Sequence, residues 1–168
     1  MEIQLYYIPV KQTVRKKGTF MSTNPSLLIQ NQFVTGMNSH DLEKVMESFD
    51  DNASMNFPLP MPVQPSTLRG KQEIRQFLEK MIQGFHADVS NIKVSGDQVQ
   101  WHARISSNLL KQYGLQEGES NTTVIVRNGK IISFTPSFTQ ESITKMEAAS
   151  RQAGSQQWTG TSTRPFAR

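Results

Sequence analysis

The sequence predicts an α+β fold in which three N-terminal helices precede a curved, mostly antiparallel sheet and an extra helix follows it. The first observation is the segment 71–85, whose apolar residues share one helix face: Ile74, Phe77, Leu78, Met81, Ile82 and Phe85. The second is the segment 99–105, where apolar and polar residues alternate as in a half-buried strand. The third is Asn128-Gly129, a dipeptide typical of a tight hairpin turn.

Two further helices are expected before the segment 71–85. Asn24 is a favoured N-cap residue and Pro25 suits the first helical turn, so the first helix is expected to run to about Met37. The second is expected over 41–49, because four apolar residues recur at helical spacing: Leu42, Val45, Met46 and Phe49. The polar residues 50–52 are expected to form a solvated turn, and a short strand is expected over 53–57.

The remaining chain is predicted to form a loop, four strands and a last helix. Four prolines within residues 58–65 exclude a helix or a central strand there, so a stiff loop is expected. The strands and the helix are expected in this order: 87–95, 99–110, 119–127 and 130–135, then a helix over 139–151.

The positive charge lies near the two ends of the chain. Residues 1–20 carry a net charge of +3 and residues 151–168 another +3, so that the total of +4 leaves −2 for residues 21–150. A nucleic-acid-binding domain concentrates positive charge on its folded surface, so no nucleic-acid partner is expected. We expect a flexible extension over 1–22, one domain over 23–151 and a disordered tail over 152–168.

Composition narrows the chemistry and the location. The chain has no cysteine, which excludes disulfides, thiol catalysis and cysteine zinc sites. Its mean hydropathy is −0.50 and no apolar run has the length of a membrane span. We expect a cytoplasmic protein with no membrane partner.

Three stretches carry a resemblance to a known group of proteins. They are Asp41 to Phe57, Leu68-Arg69-Gly70-Lys71-Gln72-Glu73-Ile74, and Arg127-Asn128-Gly129-Lys130-Ile131-Ile132-Ser133-Phe134. In order and content they resemble the SnoaL-like group (polyketide cyclase and ketosteroid isomerase-like) of the nuclear transport factor 2-like superfamily. The resemblance implies a cone-shaped α+β barrel with an apolar pocket, often paired through its sheet. Members include isomerases, cyclases, dehydratases, epoxide hydrolases and non-catalytic association domains.

The carboxylates that the resemblance implies are missing from their expected positions. Phe57 stands where ketosteroid isomerase-like members carry an acid. Thr139 stands where many cyclase-like members place one after the last strand. Epoxide hydrolase-like members have an arginine two residues before an acid, whereas Arg104 is followed by Ser106.

His102 and Arg104 are the sharpest candidates for catalysis. They lie two residues apart on one predicted strand and therefore on one face. A histidine can act as a general base and an arginine can stabilise an enolate. The alternative is that both face outward, because Trp101, Ala103 and Ile105 occupy the opposite face. His86 and Asp88 also share a face, but two ligands without a third predict a surface pair rather than a metal site.

A set of large apolar residues is predicted to line a ligand pocket. The set is Phe33, Met37, Phe57, Phe77, Met81, Phe85, Trp101 and Phe134. Methionines adapt to varied ligands, and the proline-rich loop offers a rim. The alternative is a closed core without a cavity.

Two functions remain open at this point. One is a pocket protein that binds or converts a small apolar or polycyclic molecule, as a cofactor-independent isomerase, cyclase or lyase if it is catalytic. The other is a non-catalytic ligand-binding or dimerising association domain. No cofactor or metal is expected, and the outward side of the strand 99–105 is expected to form a homodimer interface.

Overall fold

The computed structural model describes residues 24–57, 66–112 and 114–157. These residues form five helices, namely α1 Pro25–Asn38, α2 Leu42–Glu47, α3 Gly70–Met81, α4 Asn108–Gln112 and α5 Gln140–Gln157. They also form six strands, namely β1 Phe49–Asn56, β2 Thr67–Arg69, β3 His86–Ser95, β4 Gln98–Ser106, β5 Gly118–Arg127 and β6 Lys130–Phe138. The predicted loop over 58–65 and most of both predicted tails lie outside the described residues.

The strands form one mixed sheet in the order β2-β1-β6-β5-β4-β3. β1 and β6 pair in parallel, and the other neighbours are antiparallel. The sheet is open, since β2 and β3 lie at its opposite edges. The helices pack against one face of it, so the predicted α+β class is confirmed.

Helix α1 begins where its capping residues predict. The Asn24 side-chain oxygen accepts hydrogen bonds from the backbone N–H groups of Ser26 at 2.9 Å and Leu27 at 3.4 Å. Pro25, which has no N–H, occupies the first turn, where none is needed. Phe33 and Met37 therefore face the sheet, and both are buried.

Phe49 lies in a strand, which corrects the predicted second helix. Its spacing from Val45 fits a helix, but α2 ends at Glu47 and Phe49 opens β1. There Phe49 pairs with Ile131 of β6. The residues 50–52, predicted as a turn, belong to β1, and the register of the strand shifts after Phe49. Sheet pairing thus outweighs the local helical pattern.

Helix α3 confirms the clearest sequence signal, although it ends at Met81 rather than at Phe85. Gly70, with φ of +77°, turns the chain into the helix. Gly84, with φ of +63°, follows its end. Ile82 and Phe85 remain buried beyond the helix, because the turn keeps them against the core.

The four strands after α3 occur in the predicted order, with some changes of length. β4 ends at Ser106, and the residues predicted to extend it form α4 instead. The buried Ser107 explains this change, because its hydroxyl accepts the backbone N–H of Leu110 at 3.1 Å. β6 runs three residues past its predicted end, α5 runs to Gln157, and β2 was not predicted as a strand.

No helix in the described part of the chain has the length and apolar character needed to cross a membrane.

Candidate functional site

The candidate site is an apolar cavity of about 90 Å³ between the helices and the inner face of the sheet. The structure brings all eight predicted pocket residues together around it. Most of its other lining residues are aliphatic, including Val34 of α1, Leu78 of α3 and Ile105 of β4. That the cavity holds a ligand stays a prediction.

Two sets of aromatic contacts support the cavity wall. Phe134 of β6 lies 4.9 Å from Phe33 and 6.1 Å from Trp101, measured between ring centroids. Phe57, at the end of β1, lies 4.9 Å from Phe77 of α3. The rings are tilted or edge-on, which is the favoured arrangement for aromatic pairs. They tie helices and sheet together around the cavity.

Two side-chain contacts near the ends of β3 and α1 fix another part of the wall. The Asn38 amide donates to the Ala87 carbonyl at 3.0 Å, and its oxygen accepts the Ala87 N–H at 2.8 Å. His40 donates from its ring to the Phe85 carbonyl at 2.8 Å. Phe85 and Ala87 both line the cavity. The sequence showed only a helix break at residues 38–40, so these positioning roles required the structure.

The cavity wall contains no ionisable side chain among the described residues. Phe57, at a position where the resemblance implies an acid, is buried in the wall. Thr139, at a second such position, accepts the N–H of Ser142 at 3.4 Å at the start of α5. The polar side-chain groups of the described lining are the hydroxyls of Ser120 and Thr122 on β5 and the indole N–H of Trp101, apart from the methionine sulfurs. The described wall therefore offers no carboxylate or imidazole for proton transfer.

His102 and Arg104 lie on the outer face of β4, opposite Trp101 and Ala103, which line the cavity. His102 Nδ1 is 3.2 Å from the Asn121 side-chain oxygen, and its Nε2 is 3.9 Å from Glu119 Oε2. Arg104 lies 3.4 Å from the Asp88 carboxylate. The outward alternative is thus the one that the structure adopts. The catalytic roles of His102 as base and Arg104 as electrostatic partner stay a prediction. Their outward placement does not support these roles for a ligand in the cavity.

His86 and Asp88 form an exposed pair at the start of β3. His86 Nε2 lies 3.3 Å from Asp88 Oδ1. In the described ranges, no group of three or more potential ligands is placed to hold a metal ion. The pair fits the surface interpretation.

The clearest pKa shifts also lie on the surface. A hydrogen bond from Arg75 of α3 holds the pKa of the Glu43 carboxyl below its usual range. A hydrogen bond from Lys145 likewise lowers the pKa of the Glu141 carboxyl on α5. All four side chains are exposed and none lines the cavity. Perturbed groups often mark catalytic centres, but these are ordinary ion pairs between or along helices.

Solved structures share this fold at low sequence identity. A candidate ketosteroid isomerase from Kribbella flavida is 10% identical with a TM-score of 0.57, covering 69% of this chain and 78% of that one. A candidate polyketide cyclase from Sinorhizobium meliloti is 16% identical with a TM-score of 0.54, covering 66% and 97%. TerC, co-crystallised with polyporic acid, is 14% identical with a TM-score of 0.60, covering 74% and 99%.

At such identities the likeness establishes the fold alone. None of the curated proteins matches the chain. The profile of the SnoaL-like domain matches residues 31–134, which is more than half of the chain. The matched range contains the second half of α1, the helices α2 to α4, the strands β1 to β5 and the first half of β6, and therefore most of the cavity wall. The chain therefore belongs to the SnoaL-like domain family.

Proposed function

We propose that the protein binds a small, uncharged and mainly apolar molecule in the cavity between α1, α3 and the sheet. The single observation that supports this is that the described part of the wall has no ionisable side chain and is built mainly from aromatic and aliphatic residues and methionines. Transfer of apolar surface from water into such a wall is favourable, at roughly 25 cal/mol per Å². A buried charge would lack a partner here and would be strongly disfavoured.

The size of the cavity limits the ligand to about one ring unless side chains of the wall move. A cavity of about 150 Å³ is known to hold benzene, and this one measures about 90 Å³. Met37, Met55, Met81 and Met146 line it, and their flexible side chains permit some enlargement. A polycyclic ligand requires these side chains to move. TerC, which shares the fold, was co-crystallised with polyporic acid, which supports small-molecule binding as a role for this fold.

The proposal is of binding without acid–base chemistry in the cavity. An isomerase, cyclase or lyase of the cofactor-independent type needs a group that takes or gives a proton at the substrate. His102 and Arg104 face away from the cavity, so they do not supply one there. Incubation of 1-indanone in D₂O with the protein is expected to leave its α-proton exchange at the background rate. Accelerated exchange, followed by NMR, would contradict the non-catalytic proposal.

Methionine methyl groups offer a direct test of binding. With [methyl-¹³C]methionine, addition of indane is expected to shift the signals of the four lining methionines. Met46 is an internal control, since it is 2% exposed and does not line the cavity. Absence of shifts at the lining methionines up to the solubility of indane would contradict the proposal.

A matched pair of variants separates the cavity from the rest of the molecule. Ala103 points into the cavity from β4 and is 2% exposed, so Ala103→Leu is expected to fill the space and abolish the indane shifts. Ala148 of α5 is exposed and lies away from the cavity, so Ala148→Leu is expected to leave them unchanged. Circular dichroism of both variants checks that the fold is kept.

We also propose that two copies pair through the outer face of β4, β5 and β6. Uncharged polar residues occupy much of this face, with Gln100 opposite Thr123 on β5 and Thr123 opposite Thr135 on β6. Interface cores are depleted in charged residues. The uncharged part of this surface resembles them in that respect. The resemblance to sheet-paired relatives supports the same arrangement.

A further inference from the structure

Strand β5 places two hydroxyl groups at successive inward positions of the cavity wall. Ser120 and Thr122 lie two residues apart, so their side chains share the inner face of the sheet. Their residues are 2% and 4% exposed, and both line the cavity. Their neighbours across the sheet are apolar: Ala103 and Phe138 flank Ser120, and Trp101 and Pro136 flank Thr122.

Neither hydroxyl forms a hydrogen bond to any residue that the structure describes. Other buried serines differ in this respect. The Ser107 hydroxyl accepts the N–H of Leu110, and the Ser142 hydroxyl accepts the N–H of Glu119 at 2.9 Å. The fully buried side-chain oxygens of Gln30 and Ser48 also lack a described partner, but they lie outside the cavity lining. Among the described lining residues, the unpaired hydroxyls therefore lie on one strand.

An unpaired hydroxyl in an apolar site is unfavourable unless a ligand or a water supplies its partner. Side chains two residues apart on a strand start about 7 Å apart, so two hydroxyls can converge on one oxygen atom between them. A neutral oxygen has the lone pairs to accept from both. An anionic oxygen would need a cationic partner, and none lines the described cavity wall.

We propose that Ser120 and Thr122 select a neutral ligand that carries one hydrogen-bonding oxygen on an otherwise apolar frame. This inference rests on the proposed binding function. It assigns Ser120 and Thr122 as specificity-determining residues. Their hydroxyls would orient the ligand oxygen toward β5. The apolar frame then faces the aromatic and methionine side chains of the helices.

Two probes of nearly the same shape test this. 1-Indanone carries a carbonyl oxygen, and indane lacks it. Titrations are followed through the methyl signals of the lining methionines, with Met46 as the internal control. The unmodified protein is expected to bind 1-indanone about tenfold more tightly than indane, the preference that hydrogen bonds of ordinary strength give.

The double variant Ser120→Ala, Thr122→Val is expected to lower the affinity for 1-indanone to that for indane, and to leave the affinity for indane within about twofold. Thr122→Ser keeps the hydroxyl and is expected to keep the preference. Thr123→Val is the matched control, because Thr123 lies on the outer face of the same strand, where it accepts from Gln100 at 3.4 Å.

The outcomes separate this inference from the proposed function. If indane binds and 1-indanone binds no more tightly, or if the double variant keeps the preference, the assignment of Ser120 and Thr122 is overturned while the binding function stands. If neither probe shifts the lining methyl signals of the unmodified protein, the binding function is overturned and this inference with it.

Discussion

At the scale of single residues, Gly36 of α1 lies in tight contact with α2. A Cβ atom added there would lie 2.8 Å from Val45 Cγ2 and 3.1 Å from the Val45 backbone nitrogen. Val45 is fully buried and cannot move without disturbing the core. The absent side chain thus lets α2 pack against α1, next to Met37 in the cavity wall.

Gly36→Ala is therefore expected to destabilise the fold by about 1–3 kcal/mol. The sign is the informative part, because alanine usually stabilises a helix relative to glycine by up to about 1 kcal/mol. Urea denaturation measures the effect. Thr35→Ala, at an exposed position of the same helix, is the control and is expected to stay within about 0.5 kcal/mol. An unchanged or raised stability of Gly36→Ala would show that the helices have room to separate.

At the scale of elements, the apolar face of α3 combines buried and partly buried residues. Ile74 and Leu78 are buried, and Leu78 also lines the cavity, whereas Phe77 and Met81 line the cavity and are only partly buried. The sequence alone places all four on one face and predicts a loss of about 3–5 kcal/mol for Phe77→Ala if the ring is buried. Partial exposure of Phe77 lowers that expectation.

Leu78→Ala is expected to cost about 2–5 kcal/mol and Phe77→Ala about 1–2 kcal/mol, since the second removes less buried surface. The free energies of unfolding of the two variants, measured side by side, give the comparison. A larger loss for Phe77→Ala would mean that its contact with Phe57 contributes more to the fold than the core position of Leu78.

At the scale of the whole molecule, the two faces of the sheet differ in their surroundings. The inner face lines the cavity, and the outer face of β4 carries Gln100, His102, Arg104 and Ser106. Among the described residues, α1, α3, α4 and α5 contribute side chains to the cavity on the inner side of the sheet. A second copy of the chain would bury the outer face, with at least about 1,000 Å² needed for a stable pair.

His102→Glu combined with Arg104→Glu is expected to convert the proposed dimer into a folded monomer, because it places four carboxylates across a two-fold interface. Light scattering at tens of micromolar measures the mass, and circular dichroism checks the fold. Gln72→Glu with Lys80→Glu is a control of equal charge change on exposed positions of α3, and it is expected to stay dimeric. A monomeric mass for the unmodified protein would contradict the proposal.

The sequence by itself determined the elements that depend on local contacts, within one helix or strand or between residues close together in the chain. The caps at Asn24 and Pro25, the apolar face of α3, the alternation in β4 and the turn at Asn128-Gly129 are all local patterns, and the structure contains each of them. The same patterns selected the eight residues that surround the cavity. Apolar side chains on the inner faces of the helices and of the sheet pack toward each other.

Only the tertiary structure decided what depends on distant segments. Phe49 joins a strand because Ile131 pairs with it from a strand more than 80 residues later in the chain. The outward direction of His102 and Arg104 follows from packing of Trp101 against Phe134. The unpaired state of Ser120 and Thr122 became visible only once their neighbours were placed. In each case the deciding contact is long-range, and no local pattern encodes it.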